Sequence, residues 1–229
     1  MAKTQLKICG ITRAQDVIFC CRHGVDIIDF VTEYPVPVAW DLTRDQTERL
    51  MANVTGGTKT CVVTGGSRDK ILTLAKKLRP DYIQLQEHET LVDASVIAKT
   101  LLPEGIKVIK AIPADSFERM VQFATMDPAR CARLLNETQV AAVLTGCHFS
   151  SADPKGHKLA EPEFFRQIQE NLTLPLILAG GITPDSVRSI LKEMHPDILD
   201  VMSGMEIRPG GKDTDKIEKL EKILREIDA

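Results

Sequence analysis

The chain lacks the one-sided charge that marks a binder of nucleic acid or of an anionic membrane. Its 29 Lys and Arg stand against 32 Asp and Glu, a net charge of −3, and the pI is about 6.0. Long apolar runs are missing too: none approaches the roughly 20 residues of a membrane span. The first ten residues have no apolar core of the kind a secretory signal needs. Cysteine is scarce for 229 residues, at positions 9, 20, 21, 61, 131 and 147, with two adjacent and no CxxC. Neither a disulfide framework nor a zinc site is expected, and no other metal is implied. Low-complexity linkers and charge blocks are also absent, so residues 1–229 read as one domain. A reduced, cytoplasmic protein is the expectation.

What is there is a repeated alternation. Short, β-branched apolar runs at 7–11, 25–31, 60–64, 82–86, 108–113, 141–145, 174–179 and 198–202 read as strands. Helix-like segments fall between them, among them 44–53, 69–78, 92–101, 162–171 and 185–193. The closing stretch 213–227 puts Ile217, Leu220, Ile223, Leu224 and Ile227 on one face, as a docked helix would. Eight strand–helix units at a repeat of roughly 27 residues predict a closed parallel sheet, a (β/α)8 TIM barrel, in the α/β class. An open doubly wound sheet would show a glycine-rich turn after its first strand, and Gly10-Ile11-Thr12-Arg13 is not one.

Such a barrel places its chemistry at the C-terminal ends of the strands and often holds phosphate on the loops after strands seven and eight. Strand seven ends in Leu178-Ala179-Gly180-Gly181, followed by Ile182-Thr183-Pro184-Asp185, a helix start capped by Thr183. Strand eight ends in Met202-Ser203-Gly204-Met205-Glu206. Paired glycines let backbone N–H groups approach an anion, so Gly180, Gly181, Ser203 and Gly204 form the candidate phosphate cradle. The plainer alternative is that these glycines only end strands. Arg208 and Lys212 lie close enough to assist, although most basic residues are solvated surface.

On the first strand, period-two alternation sends Lys7 and Cys9 to one face and Leu6 and Ile8 to the other. The apolar pair should meet the helices, leaving Lys7 and Cys9 inside with Cys9 nearer the mouth. An ammonium beside a thiol draws it toward thiolate, a base or nucleophile. A packed free cysteine is the alternative. Lys7 needs a counter-ion, and a closed barrel sets strand one between strands two and eight. Asp29 or Asp200 can fill that role, with Asp200 read as structural and Asp29 held open as a proton donor. Cys20, Cys21 and Cys61 are expected to be packing residues; Cys131 and Cys147 stay unassigned.

The run Lys7-Ile8-Cys9-Gly10-Ile11-Thr12 resembles the opening signature of the phosphoribosylanthranilate isomerase family of tryptophan biosynthesis. The resemblance continues through Gly24-Val25-Asp26, Gln84-Leu85, Leu178-Ala179-Gly180-Gly181-Ile182, Asp200-Val201-Met202-Ser203-Gly204-Met205-Glu206 and Gly211-Lys212-Asp213, nearly the whole chain. It implies a cofactor-free Amadori rearrangement, aminoaldose phosphate to aminoketose. Cys9 would be the general base and the two glycine loops would hold the phosphate; apart from the resemblance, Lys7, Asp200 and Gln84 are read as supporting residues.

The family pattern also breaks in places. The acid expected after strand six is Thr145, which cannot donate a proton near neutral pH. The Ser-Pro-Arg that would meet the anthranilate carboxylate reads Tyr34-Pro35-Val36-Pro37, with Val36 in the arginine's place. Gln-Leu-His-Gly reads Gln84-Leu85-Gln86-Glu87, and Cys147-His148-Phe149-Ser150-Ser151-Ala152-Asp153 replaces a glycine-rich segment. These departures spare the base and the phosphate side, which suggests a phosphosugar ligand with an altered second half. His148 is the first choice of substitute acid because imidazole titrates near neutrality; Asp153, Asp29 and His88 stand behind it, and a solvated loop histidine is the alternative. His23, His157 and His195 look like surface. Trp40, the only tryptophan, either covers a ligand at the mouth or anchors its loop.

Three functions stay open. The first is an isomerase of a phosphorylated aminosugar. The second is a non-catalytic sugar-phosphate-binding barrel acting as sensor or partner protein. The third is a lyase or epimerase using Lys7 or Asp200. The expected partner is a small-molecule sugar phosphate, with no nucleic acid or membrane, and the chain a monomer or homodimer.

Overall fold

Gln5–Ile8 pairs in parallel with Ile27–Val31 on one side and with Ile198–Val201 on the other, so the first and last strands are neighbours. The computed structural model describes residues 3–146 and 161–228. Its barrel strands are β1 (Gln5–Ile8), β2 (Ile27–Val31), β3 (Lys59–Thr64), β4 (Tyr82–Leu85), β5 (Lys107–Ile112), β6 (Ala142–Thr145), β7 (Leu176–Ala179) and β8 (Ile198–Val201). They form the expected closed parallel (β/α)8 barrel, in chain order. The helices are α1 (Ala14–Arg22), α2 (Arg44–Met51), α3 (Arg68–Leu78), α4 (Leu91–Leu101), α5 (Ser116–Phe123), α6 (Pro128–Asn136), α7 (Pro162–Gln169), α8 (Val187–Glu193) and α9 (Thr214–Asp228). A short hairpin, β9 (Glu206–Arg208) and β10 (Gly211–Lys212), follows β8. No helix among the described residues is long and apolar enough to cross a membrane.

The strands read as continuous apolar runs because both of their faces are covered. Leu6, Ile8, Ile28, Phe30, Val62 and Ile83 join one buried cluster with helix residues such as Val17, Leu74, Ile97 and Ile217. The alternate positions Ile27, Cys61, Ile109, Leu144, Ile177 and Ile198 form a second cluster inside the barrel. A third, at the strand ends, joins Cys9, Val31, Tyr34, Trp40 and Val63. Helix starts follow local chemistry. Thr43 with Gln46 and Thr90 with Asp93 form capping boxes for α2 and α4, each cap contributing about 1 kcal/mol.

Several boundaries differ from the sequence expectation. β1 ends at Ile8, because Gly10 takes a φ of 71° and turns the chain out of the strand. The β5–β6 connection holds two helices. Ala124, at φ 54°, ends α5 in the left-handed region, then Asp127 caps α6 with Pro128 in its first turn. On α9 Ile217, Leu220, Ile223 and Leu224 are buried, whereas Ile227 is 43% exposed in the last turn.

Candidate active site

Cys9 is the first residue beyond β1, and its N–H donates to the Val201 carbonyl at 2.9 Å, which keeps it on the barrel rim. One layer below, Lys7 donates to Asp29 and, at 2.8 Å, to Asp200. All three side chains are almost wholly out of solvent. The register explains the meeting: Lys7 is opposite Asp200 on β8, and Asp29 lies on β2, the other neighbour of β1. Both sequence candidates for the counter-ion therefore serve. The Cys9 sulfur and one carboxylate oxygen each from Asp29 and Asp200 lie within 4.8 Å of one another. That set resembles a metal-ligand group, but the Lys7 ammonium already supplies its cation.

The electrostatics correct one expectation. Lys7 was expected to draw Cys9 toward thiolate, yet burial, then Asp29 and Asp200, push the thiol well above its ordinary value. The pull of Lys7 is outweighed. Burial also raises Asp29 to about 6 although Lys7 opposes it, and Asp200 adds to the rise. Lys7 is pulled down by burial, but the two carboxylates more than reverse this and hold it charged. Asp29 Oδ1 and Asp200 Oδ1 are buried with no hydrogen-bond partner among the described residues. The result is a thiol that keeps its proton at rest, facing carboxyl oxygens with room to accept one.

Across the rim, Gly180 and Gly181 take φ of 91° and 64°, conformations open to glycine. Thr183 caps the turn that follows. Its hydroxyl accepts from the Ser186 N–H at 3.2 Å, and Ser186 Oγ accepts from the Thr183 N–H at 2.9 Å. On the β8 side, Ser203 and Gly204 open a single tight turn, both half-buried. A Cβ on Gly204 would lie 2.2 Å from the Ile182 carbonyl oxygen, so the two glycine loops touch and only glycine fits there. Of the four cradle candidates, Gly204 is thereby pressed against the β7 loop that carries Gly180 and Gly181.

Other candidates land elsewhere. Asp29 is fully buried beneath Cys9, so it meets a ligand only through the thiol. Cys61 was read as plain packing. It lies inside the barrel opposite Asp29 in register, and burial, then that carboxyl, push its thiol up. Lys212 is neither solvated nor set for an anion: it is buried, and its ammonium donates to Glu206 Oε1 at 2.7 Å. The same oxygen accepts from Trp40 Nε1 at 2.9 Å, tying the β2 loop to the β8 loop. Trp40 thus anchors its loop and also packs in one cluster with Cys9. Thr145 is buried at the end of β6, its hydroxyl without a partner among the described residues. Gln84 is buried and donates Nε2 to Gln86 Oε1 at 2.6 Å. His88 is exposed and faces Glu118 at 3.2 Å. His148 and Asp153 lie outside the described residues.

Cys61 packs in the inner cluster, as expected; Glu206, Tyr34 and Glu87, at the mouth, were not singled out as site residues. The Tyr34 hydroxyl donates to Glu87, a contact between distant loops that no local pattern marks.

Comparison with known proteins bears on this geometry. The profile of the N-(5'phosphoribosyl)anthranilate (PRA) isomerase family matches residues 6–223. The chain is similar to N-(5'-phosphoribosyl)anthranilate isomerase 1 of Methanosarcina mazei, 29% identical over 226 residues, covering 97% of this chain and 95% of that one. It is similar to the N-(5'-phosphoribosyl)anthranilate isomerase of Desulfatibacillum aliphaticivorans, 30% identical over 217 residues, with coverage of 94% and 90%. The crystal structure of phosphoribosyl anthranilate isomerase from Thermus thermophilus superposes with a TM-score of 0.77 at 22% identity, covering 98% of this chain and all of that one.

Proposed function

Given that the chain belongs to the N-(5'phosphoribosyl)anthranilate isomerase family, we propose that it rearranges a phosphorylated aminoaldose to the aminoketose with Cys9 as general base. The observation that carries this reading is the Cys9 sulfur at the rim, within 4.8 Å of a carboxylate oxygen of Asp29 and one of Asp200, and at the same barrel end as the touching glycine loops. Gly180, Gly181, Ser203 and Gly204 hold the phosphate through backbone N–H groups and a hydroxyl. That anchors the sugar with its reacting carbons toward Cys9.

The chemistry is a proton shift. Protonation of the ring oxygen opens the sugar and leaves an iminium at the carbon bearing nitrogen. Cys9 takes the proton from the adjacent carbon, giving an enolamine, and returns it to the nitrogen-bearing carbon while the neighbouring hydroxyl gives its proton back to the acid that opened the ring and becomes a ketone. No atom is gained or lost. For Cys9 to act, its own proton must first leave, and Asp29 is the acceptor: a carboxyl raised to about 6 holds a proton far better than an ordinary aspartate. Lys7 and Asp200 fix Asp29 in place. We assign protonation of the ring oxygen to His148, on the chemistry of imidazole alone.

Loss of phosphoribosylanthranilate fluorescence, followed with the wild-type chain, tests the proposal. Turnover is expected. Binding of a reduced aminoketose phosphate without any turnover would instead favour the non-catalytic sugar-phosphate barrel, the reading that Thr145 at the end of β6 supports.

A further inference from the structure

The mouth between β2 and β4 carries polar groups that neither the proton shift nor the phosphate cradle uses. Tyr34 packs with Cys9, Val31 and Val63 and donates its hydroxyl to Glu87 Oε1. Glu87 is pressed onto Gly65, where an added Cβ would lie 3.0 Å from its side chain. Beside Val63 in register sits Gln84, 1% exposed. Its Nε2 is spent on Gln86, which leaves Gln84 Oε1 and Gln86 Nε2 buried with no partner among the described residues. Two such buried atoms are costly unless a ligand meets them. Of the nearby cations, Lys70 donates to the Glu33 and Gly65 carbonyls, and Arg44 pairs with Glu33 through one terminal nitrogen while its Nε has no partner among the described residues.

We propose that this wall reads the amine half of the aminosugar phosphate and selects an aryl amine bearing a neutral carboxamide over one bearing a carboxylate. The inference rests on the isomerase reading for the place of the sugar and goes beyond it in naming the second half of the substrate. A primary carboxamide matches both open positions: its N–H donates to Gln84 Oε1 and its carbonyl accepts from Gln86 Nε2. A carboxylate has no hydrogen for Gln84 Oε1 and brings a second negative charge to the side where Glu87 is clamped by Tyr34.

The test uses two conjugates that cannot isomerise, made by reductive amination of ribose 5-phosphate with 2-aminobenzamide and with anthranilate. Calorimetric titration of the full chain should give a Kd for the benzamide conjugate about tenfold or more below that of the anthranilate conjugate. Glu87→Gln should shrink that ratio severalfold by improving carboxylate binding, and Tyr34→Phe, which unclamps Glu87, should move it the same way. Equal or tighter binding of the anthranilate conjugate, no binding of either, or a ratio unmoved in both variants would overturn the proposal. Turnover of the two parent glycosylamines is read separately. If both conjugates bind with the expected ratio and neither glycosylamine reacts, the isomerase reading fails while the selectivity stands.

Discussion

Replacing Asp29 by Asn should make the protein more stable at neutral pH and much slower. The site raises this carboxyl from 3.8 to about 6, chiefly by burial, which corresponds to about 3 kcal/mol against its ionised form. Because the folded value lies above the unfolded one, the folded chain keeps a proton between about pH 4 and 6 that the unfolded chain has lost. Wild-type stability therefore falls as pH rises through that window, and asparagine has no such proton to lose. Lys7 keeps Asp200 at 2.8 Å in the variant, so its charge stays paired. Urea unfolding of both proteins at pH 4.5 and 7.5 should show the difference between them shifting in the variant's favour by about 2 kcal/mol. Comparing the two proteins cancels Asp81 and Asp93, whose carboxyls are lowered and act in the opposite sense in both. Turnover should fall about 100-fold or more, since the amide cannot take the Cys9 proton. A stability difference that ignores pH, together with full turnover, would refute the reasoning.

Three further outcomes are expected. Gly204→Ala forces a Cβ to 2.2 Å from the Ile182 carbonyl oxygen; it should cost about 1–3 kcal/mol in thermal unfolding and raise KM for the phosphosugar as the two loops separate. Lys110 is buried with its ammonium on Gln122 Oε1 at 2.7 Å, and burial pushes it down to about 8. Lys110→Met should stabilise the chain by about 1–3 kcal/mol near pH 7. In chemical denaturation that gain should shrink from pH 8 towards 10.5, because there the neutral folded lysine costs the wild type nothing. Glu206→Leu removes the counter-ion of Lys212 and the acceptor of the Trp40 indole. It should lose about 3–5 kcal/mol and shift the emission of the sole tryptophan to the red.

The strands were legible because a doubly covered sheet leaves runs such as Thr60–Thr64 apolar on both faces, and the spacing of Lys7 and Cys9 then placed both inside. The same alternation singled out Asp29 and Asp200. The state of the Cys9 thiol was not legible. It depends on burial and two carboxylates acting together against the ammonium groups of Lys7 and Lys212, a sum over three strands and the hairpin. Lys212 was misread because it is paired across the hairpin with Glu206, which Trp40 holds from the β2 loop. The helices α5 and α6 escaped notice because α5 stops on a left-handed alanine, Ala124, where glycine is the usual signal.

The most direct measurement is paired turnover and binding in Cys9→Ser. Serine keeps the size of the side chain but is a far weaker acid than a thiol, so isomerisation of the aminoaldose phosphate should fall at least about 100-fold. The Kd for a reduced aminoketose phosphate should stay within about twofold of wild type, since the phosphate is held across the rim. Retained turnover in Cys9→Ser would contradict the assignment of the base and with it the proton path through Asp29.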